Sequence, residues 1–239
     1  WAGTLFLMAS TYDGNMHADV SGTYPTATNG TGQTWGGNRA RTDLIRKFFP
    51  NDDAPNISCK DMPAAANDDR AIFDGLDRTL DNGDGYLSSF TFGFAVAKWN
   101  NLKTNGSVGH NDTYPDTDFF LFRVAEAYLT YAEATARQNG GTATADGIEA
   151  INALRQRAHA VTRAGYSLND ICDEWSREFY FEGLRRPTLI RFNRFGGDNN
   201  YNWSYKGGAK NGRNFSADKN IFAIPADQVR GPITQNPSY

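Results

Sequence analysis

Between residues 121 and 132, Leu121, Val124, Ala125, Tyr128, Leu129 and Ala132 recur every three or four positions. That spacing predicts an amphipathic helix with one apolar stripe. Asp116 and Asp118 precede it, where a helix dipole favours acids, and Glu133 with Arg137 makes an i,i+4 pair near its end. Gly140-Gly141 breaks the pattern, and Ile148, Ile151, Leu154 and Ala158 then line one face of a second helix. So short a break makes the two antiparallel neighbours, an αα-hairpin. Ser167 with Asp170 reads as a capping box opening a third helix, with Ile171, Trp175 and Phe179 as its buried stripe and Gly183 as its end. Pro187 suits the first turn of a short fourth helix ending near Phe195. Small residues interleaved with aromatics permit close helix packing in the style of tetratricopeptide pairs, although no period of about 34 residues repeats.

This helical stretch, 116–195, is flanked by two of different character. Residues 1–115 are loop-rich, and residues 196–239 return to Gly, Asn and aromatics; the three are read as one domain. Leu5 to Ser10 suits a short buried strand, while Asp13-Gly14-Asn15 and Thr28 to Gly32 are turn chemistry. Residues 40–50 place Leu44, Ile45, Phe48 and Phe49 at helical spacing before Pro50. Asp68 to Phe73 predicts a short helix, and alternating Phe90, Phe92 and Phe94 a strand paired with 96–99 or a neighbour. Asp81 to Gly85 fails the EF-hand template at its third position and reads as a tight turn. Ile221 to Pro225 reads as extended, followed by one helical turn. The fold class is mainly α with a few short strands.

Composition removes several functions. Lys and Arg total 24 against 27 Asp and Glu, for a net charge of -3, and no basic stripe exists to hold nucleic acid. The aromatic share of 13% is too rich for a disordered chain. Two cysteines, Cys59 and Cys172, rule out a disulfide scaffold, although they would suffice for one bridge. No apolar run approaches the roughly 20 residues of a membrane helix. Trp1 to Met8 lacks the basic region and cleavage site of a signal peptide and reads as the middle of a strand in a longer protein.

Catalytic motifs are also missing. His17, His110 and His159 have no metal-ligand spacing, no GxSxG elbow occurs, and no phosphate loop precedes a helix. A glycosidase needs two suitably spaced carboxylates, for which Glu126, Glu133, Glu178 and Glu182 are candidates. All four fall on helices rich in arginine, including Arg123, Arg155, Arg177, Arg185, Arg186 and Arg191. Ion pairs tying helices together explain them without catalysis. Binding is the better reading. Trp1, Tyr12, His17, Tyr24 and Trp35 sit in or beside long Gly/Asn/Thr loops, where exposed rings make flat apolar platforms. A pyranose packs its C–H face on such a ring, while Asn38 and Arg39 offer partners for its hydroxyls. The competing placement puts Trp1 in strand core and Trp35 against the body. A helical protein-interaction adaptor is the alternative without a sugar site.

Several blocks resemble the SusD/RagB family. Tyr114 to Ala134 contains Arg123-Val124-Ala125-Glu126-Ala127-Tyr128-Leu129 and Ala132-Glu133-Ala134; Ile151 to Ala158 reads INALRQRA; Glu174 to Arg186 reads EWSREFYFEGLRR. Leu189-Ile190-Arg191-Phe192, Ile221 to Pro225 and the closing Gln235-Asn236-Pro237 with Tyr239 follow in the family's order. The resemblance covers the C-terminal half of a typical member. It implies a SusD-like fold of tetratricopeptide-like hairpins with a loop-rich ligand face. It implies a non-catalytic, glycan-binding lipoprotein on the outer-membrane surface, capping a TonB-dependent, SusC-like transporter, with its lipid anchor in the missing N-terminal half. Trp1 and Trp35 look equivalent to aromatic positions of the starch-binding branch, which points to an α-glucan held by Trp1, Tyr12, Trp35 and Asn38. No cofactor is required. Asp116-Thr117-Asp118 resembles a structural calcium site of that branch, although the helix dipole explains two acids at a helix start equally well.

Overall fold

The computed structural model describes residues 39–80, 89, 91–111, 118–197 and 201–239. The expected strand at Leu5 to Ser10 and the turn at Asp81 to Gly85 lie outside them. A three-stranded antiparallel sheet has the order β1-β3-β2, with β1 at Arg39–Ala40, β2 at Phe73–Asp74 and β3 at Phe94–Val96. Arg39 pairs with Ala95 and Ala40 with Phe94, while Phe73 pairs with Val96 and Asp74 with Ala95. The expected strand at Phe94 is therefore present, and its partners are β1 and β2; Val96 belongs to the strand itself. Every residue of β3 is buried, as in a central strand covered on both faces. Gly93, just before β3, has φ +95°, and a Cβ there would come within 2.9 Å of the Arg39 Cβ. Glycine is what lets β1 lie so close.

Ile45, Phe48, Phe49, Met62, Phe73, Phe94, Val96 and Tyr180 form the core beside this sheet. The helix expected over 40–50 is shorter, α1 at Thr42–Ile45, but it buries Ile45 as the spacing required. The helix expected at Asp68 to Phe73 falls earlier in the chain. α2 is Met62–Ala66, with Pro63 pre-set for its first turn and Asn67 (φ 49°) stopping it in the left-handed region. Phe73 is strand instead.

The helical part follows the predicted order. α3 is Val124–Gln138, α4 Ala145–Arg157 and α5 Leu168–Phe179. α3 packs against both α4 and α5. The α3–α4 approach is close because Gly147 of α4 faces α3: a Cβ there would sit 3.4 Å from Ala132 Cα. α5 opens with the expected capping box. Ser167 Oγ accepts from the Asp170 amide, and Asp170 Oδ2 accepts from the Ser167 amide. α5 ends at Phe179, before Gly183, because Tyr180 turns extended to bury its ring against Phe73.

The predicted stripe on α3 divides. Ala125, Leu129, Ala132 and Ala136 are buried, whereas Leu121, Val124 and Tyr128 are exposed. The helix carries two apolar faces, of which one meets α5 and α4.

The chain divides into two units, one running to residue 181 and the other comprising 182–239. The second contains α6, Arg185–Arg191, then three short 3-10 turns at Lys206–Gly208, Ala217–Asn220 and Ala226–Gln228. Cations on aromatic rings hold it. Arg186 lies 3.7 Å from the Phe222 ring centre and 4.9 Å from that of Phe195. Buried Lys206 sits over Trp203 and Phe215 and donates to the Tyr201 carbonyl at 3.0 Å. Among the described residues, no helix is long and apolar enough to cross a membrane.

Candidate functional site

Trp1, Tyr12, Trp35 and Asn38, the residues expected to hold a sugar, lie outside the described residues, as does Asp116. The structure shows what anchors the end of their stretch of chain. Arg39, the residue after Asn38, is fixed by its pairing with Ala95 and by Nε donating to the Phe92 carbonyl at 2.7 Å.

Asp118 is exposed, six positions before the first residue of α3. The dipole explanation for it therefore does not hold: the acid in the first turn of α3 is Glu126. Among the described residues, no group of three or more His, Cys, Asp or Glu side chains converges as a metal cage would. The described residues bring only Asp118 to the expected calcium pair.

The densest chemistry is a buried cluster of charges along α5. Glu174 and Glu178 stand one helical turn apart, with side chains 0% and 2% exposed. A carboxylate so far from water is tolerated only when paired. Glu174 Oε2 accepts from Arg177 Nη2 at 2.6 Å, Arg177 Nε at 3.0 Å and Arg155 Nη1 at 2.8 Å. Glu178 accepts from Arg157 at 2.7 and 2.8 Å, from Arg123, and from Arg70 Nη1 at 3.1 Å. Arg70 Nη1 is also 2.8 Å from Glu174 Oε1 as an ion pair, while it donates its hydrogen bond to Glu178. Asp68 completes the grip on Arg70 with a bidentate pair at 2.8 and 2.9 Å.

Burial alone would raise both carboxyls, but the guanidiniums outweigh it. Arg177, Arg70 and Arg155 lower Glu174 to about 2, and Arg123, Arg157 and Arg70 lower Glu178 to about 2. The same cluster caps the helix end. Arg123 and Lys98 donate to the Glu178 carbonyl at 2.8 and 2.9 Å, and Lys98 also to that of Tyr180 at 2.9 Å. Cations at a helix C-terminus complement its dipole.

This arrangement suits a scaffold. A glycosidase acid needs a raised pKa, to carry a proton at neutral pH; Glu178 is held in the opposite direction. Glu133 is buried and paired with Arg137 at 2.9 Å, as the spacing predicted. Glu126 and Glu182 are partly exposed on different units. Sequence reasoning left Glu174 and Arg70 out of the candidate acids and their partners. The signal was there: Glu174 and Glu178 flank Trp175 on the apolar side of α5, and carboxylates on a buried face require cations from elsewhere in the chain.

Cys59 and Cys172 are both buried and are not bonded to each other. Burial, with Asp74 and Asp61 nearby, pushes the Cys59 thiol up to about 12, which makes it a poor nucleophile.

The sequence profile of the SusD family matches residues 78–237. The starch-binding protein SusD of Bacteroides thetaiotaomicron is 38% identical over 243 aligned positions, which cover 88% of this chain and 43% of that protein. Surface glycan-binding protein A from Bacteroides thetaiotaomicron superposes with a TM-score of 0.57 at 21% identity, over 98% of this chain and 46% of its own. Its complex with laminarihexaose gives a TM-score of 0.56 at the same identity and coverage. At that identity the superpositions establish the fold. The chain spans less than half the length of these relatives.

Proposed function

The chain belongs to the SusD family, and on that premise we propose that it is the C-terminal part of a non-catalytic, cell-surface glycan-binding protein that passes starch-like α-glucan to a TonB-dependent, SusC-like transporter. The observation that carries this reading is the 38% identity to a starch-binding protein across 88% of the chain. In this reading Trp1 and Trp35 give the flat apolar contacts, with Tyr12 and Asn38 completing the sugar site. Trp35 and Asn38 precede the anchored Arg39 by four and one positions in sequence. An anchor of that kind limits the ordering entropy that binding must overcome. The alternative as a hydrolase loses ground because Glu178, one of its four candidate acids, is committed to Arg70, Arg123 and Arg157. The membrane attachment is a lipid anchor outside residues 1–239, on the outer-membrane surface.

Isothermal titration of the intact protein with maltoheptaose, a cyclodextrin and laminarihexaose tests the reading. Binding of the first two, weakened strongly by Trp35→Ala, is expected. Preference for laminarihexaose would overturn the α-glucan assignment while leaving the glycan-binding reading standing. Release of reducing sugar from any of them would overturn the non-catalytic role.

A further inference from the structure

Among the described residues, Asn-Gly occurs at 105–106, 139–140 and 211–212. An asparagine before glycine is the least crowded setting for attack of the next backbone nitrogen on the side-chain carbonyl carbon, because glycine brings no Cβ. The three differ in what surrounds that reaction.

Asn105 stands at the tip of a hairpin. Leu102 and Val108 pair across it, Lys103 N donates to the Ser107 carbonyl at 2.8 Å, and Gly106 N donates to the Lys103 carbonyl at 2.8 Å. Gly106, at φ +79°, fills the left-handed position that a three-residue hairpin loop requires. A Cβ there would meet nothing within 4 Å, and residues 103–108 are all exposed, so water reaches the whole tip. Asn105 Oδ1 accepts twice from one residue, from Ser107 N at 3.1 Å and from Ser107 Oγ at 2.7 Å. Two donors hold the side-chain carbonyl back towards the main chain. They also stabilise the negative charge that its oxygen takes up on attack, as an oxyanion hole does.

The other two pairs are set differently. Asn139 uses its amide nitrogen, Nδ2 donating to the Thr142 carbonyl at 3.0 Å, and its backbone nitrogen is bonded to the last turn of α3. Gly212 is wedged under the Trp203 carbonyl, where a Cβ would come within 2.4 Å, so the Asn211–Gly212 peptide is pinned.

We propose that Asn105 is a site of spontaneous deamidation through a succinimide. Gly106 N leaves the Lys103 carbonyl, gives its proton to hydroxide and bonds to Asn105 Cγ. The bond from Cγ to the side-chain nitrogen breaks, and that nitrogen leaves as ammonia after taking a proton from water. Water then opens the ring. Attack at Cγ breaks its bond to the Gly106 nitrogen and gives aspartate; attack at the Asn105 backbone carbonyl carbon gives isoaspartate. Either product adds one negative charge to the tip. Isoaspartate also routes the main chain through a side-chain methylene, lengthening a loop in which the Lys103–Ser107 pairing spans three residues.

The test incubates the intact, folded protein in mildly alkaline heavy-oxygen water and maps its peptides by mass spectrometry. The expected products are aspartate and isoaspartate at position 105, each carrying one heavy oxygen and forming about tenfold faster than at 139 or 211. Ser107→Ala should slow the reaction about fivefold, the equivalent of one hydrogen bond, and Ser107→Thr, which keeps the hydroxyl, should retain the rate. In urea-unfolded protein the three sites should react at similar rates. Equal rates at the three sites in the folded protein, product at 105 without the label, or a Ser107→Ala rate at or above that of the wild type would overturn the proposal. A lead for Asn105 that persists in urea would also overturn it, since the fold would then contribute nothing.

Discussion

Arg70 Nη1 donates to Glu178 Oε2 at 3.1 Å, joining residues 108 positions apart in the chain. The same nitrogen lies 2.8 Å from Glu174 Oε1, so one guanidinium ties two carboxylates on successive turns of α5 to the loop before β2. That tie connects the helical layer to the sheet layer of the larger unit. A buried pair of this kind contributes little when compared with apolar packing, but losing one partner leaves a charge stranded.

Glu178→Gln is therefore expected to cost about 3 kcal/mol in urea unfolding, because Arg70, Arg123 and Arg157 lose their shared acceptor. Adding Arg70→Met should cost less than the sum of the two single changes. Strict additivity in the double-mutant cycle would show that the two side chains are not energetically coupled.

Acid should act through the same cluster. Glu174 and Glu178 are each lowered from 4.5 to about 2 in the folded chain. Depressed carboxyls stabilise above their unfolded pKa and lose that contribution as pH falls through the folded one. Stability is expected to drop between about pH 4.5 and pH 2, with each unit of depression worth about 1.4 kcal/mol. A Tm unchanged across that window would contradict the buried ion pairs.

The capping box is a local device and calls for a local prediction. Ser167→Ala removes the acceptor for the Asp170 amide and should cost about 1 kcal/mol. In a chain of this size that is a fall in Tm of roughly 2–4 °C. Thermal unfolding of Ser167→Asp, which keeps an N-cap acceptor, should recover most of it.

In the smaller unit, Arg186 stacks on Phe195 and Phe222 and donates to the Lys219 and Asn220 carbonyls at 2.9 and 3.1 Å. Arg186→Ala should destabilise this unit by about 2 kcal/mol, from the lost stacking and charged hydrogen bonds. Hydrogen exchange should quicken at Lys219 and Ile221 while α3 to α5 are unaffected. Quickening in both units alike would mean that they unfold together.

For the sugar site, Trp35→Ala should weaken maltoheptaose binding about tenfold, a loss of about 1.4 kcal/mol, with the Tm unchanged. A large fall in Tm would identify Trp35 as a core residue, the reading that competes with the platform.

Most of the helical layer was legible because its information is local. The Ser167–Asp170 box, the Glu133–Arg137 pair and the break at Gly140-Gly141 each depend on residues at most a turn apart. The sheet was less so. Phe94 announced a strand, but its partners at residues 39–40 and 73–74 come from distant segments, and α2 and β2 traded places with the helix expected at 68–73. The candidate sugar residues were legible only through loop composition and family resemblance, since no periodicity governs such loops.

The sequence by itself determined the order of α3, α4 and α5, that the chain is mainly helical, and which family it joins, because capping, spacing and motif order are properties of neighbouring residues. Tertiary structure alone decided which half of the α3 stripe is core. Ala125, Leu129, Ala132 and Ala136 meet other helices while Val124 and Tyr128 stay outside. It also decided that Glu174 and Glu178 are ion-pair acceptors, since their partners Arg70 and Arg123 reach them only once the chain has folded back on itself. Hydrophobic spacing tells a helix that it has an apolar face; only packing supplies the surface, or the charge, that covers it.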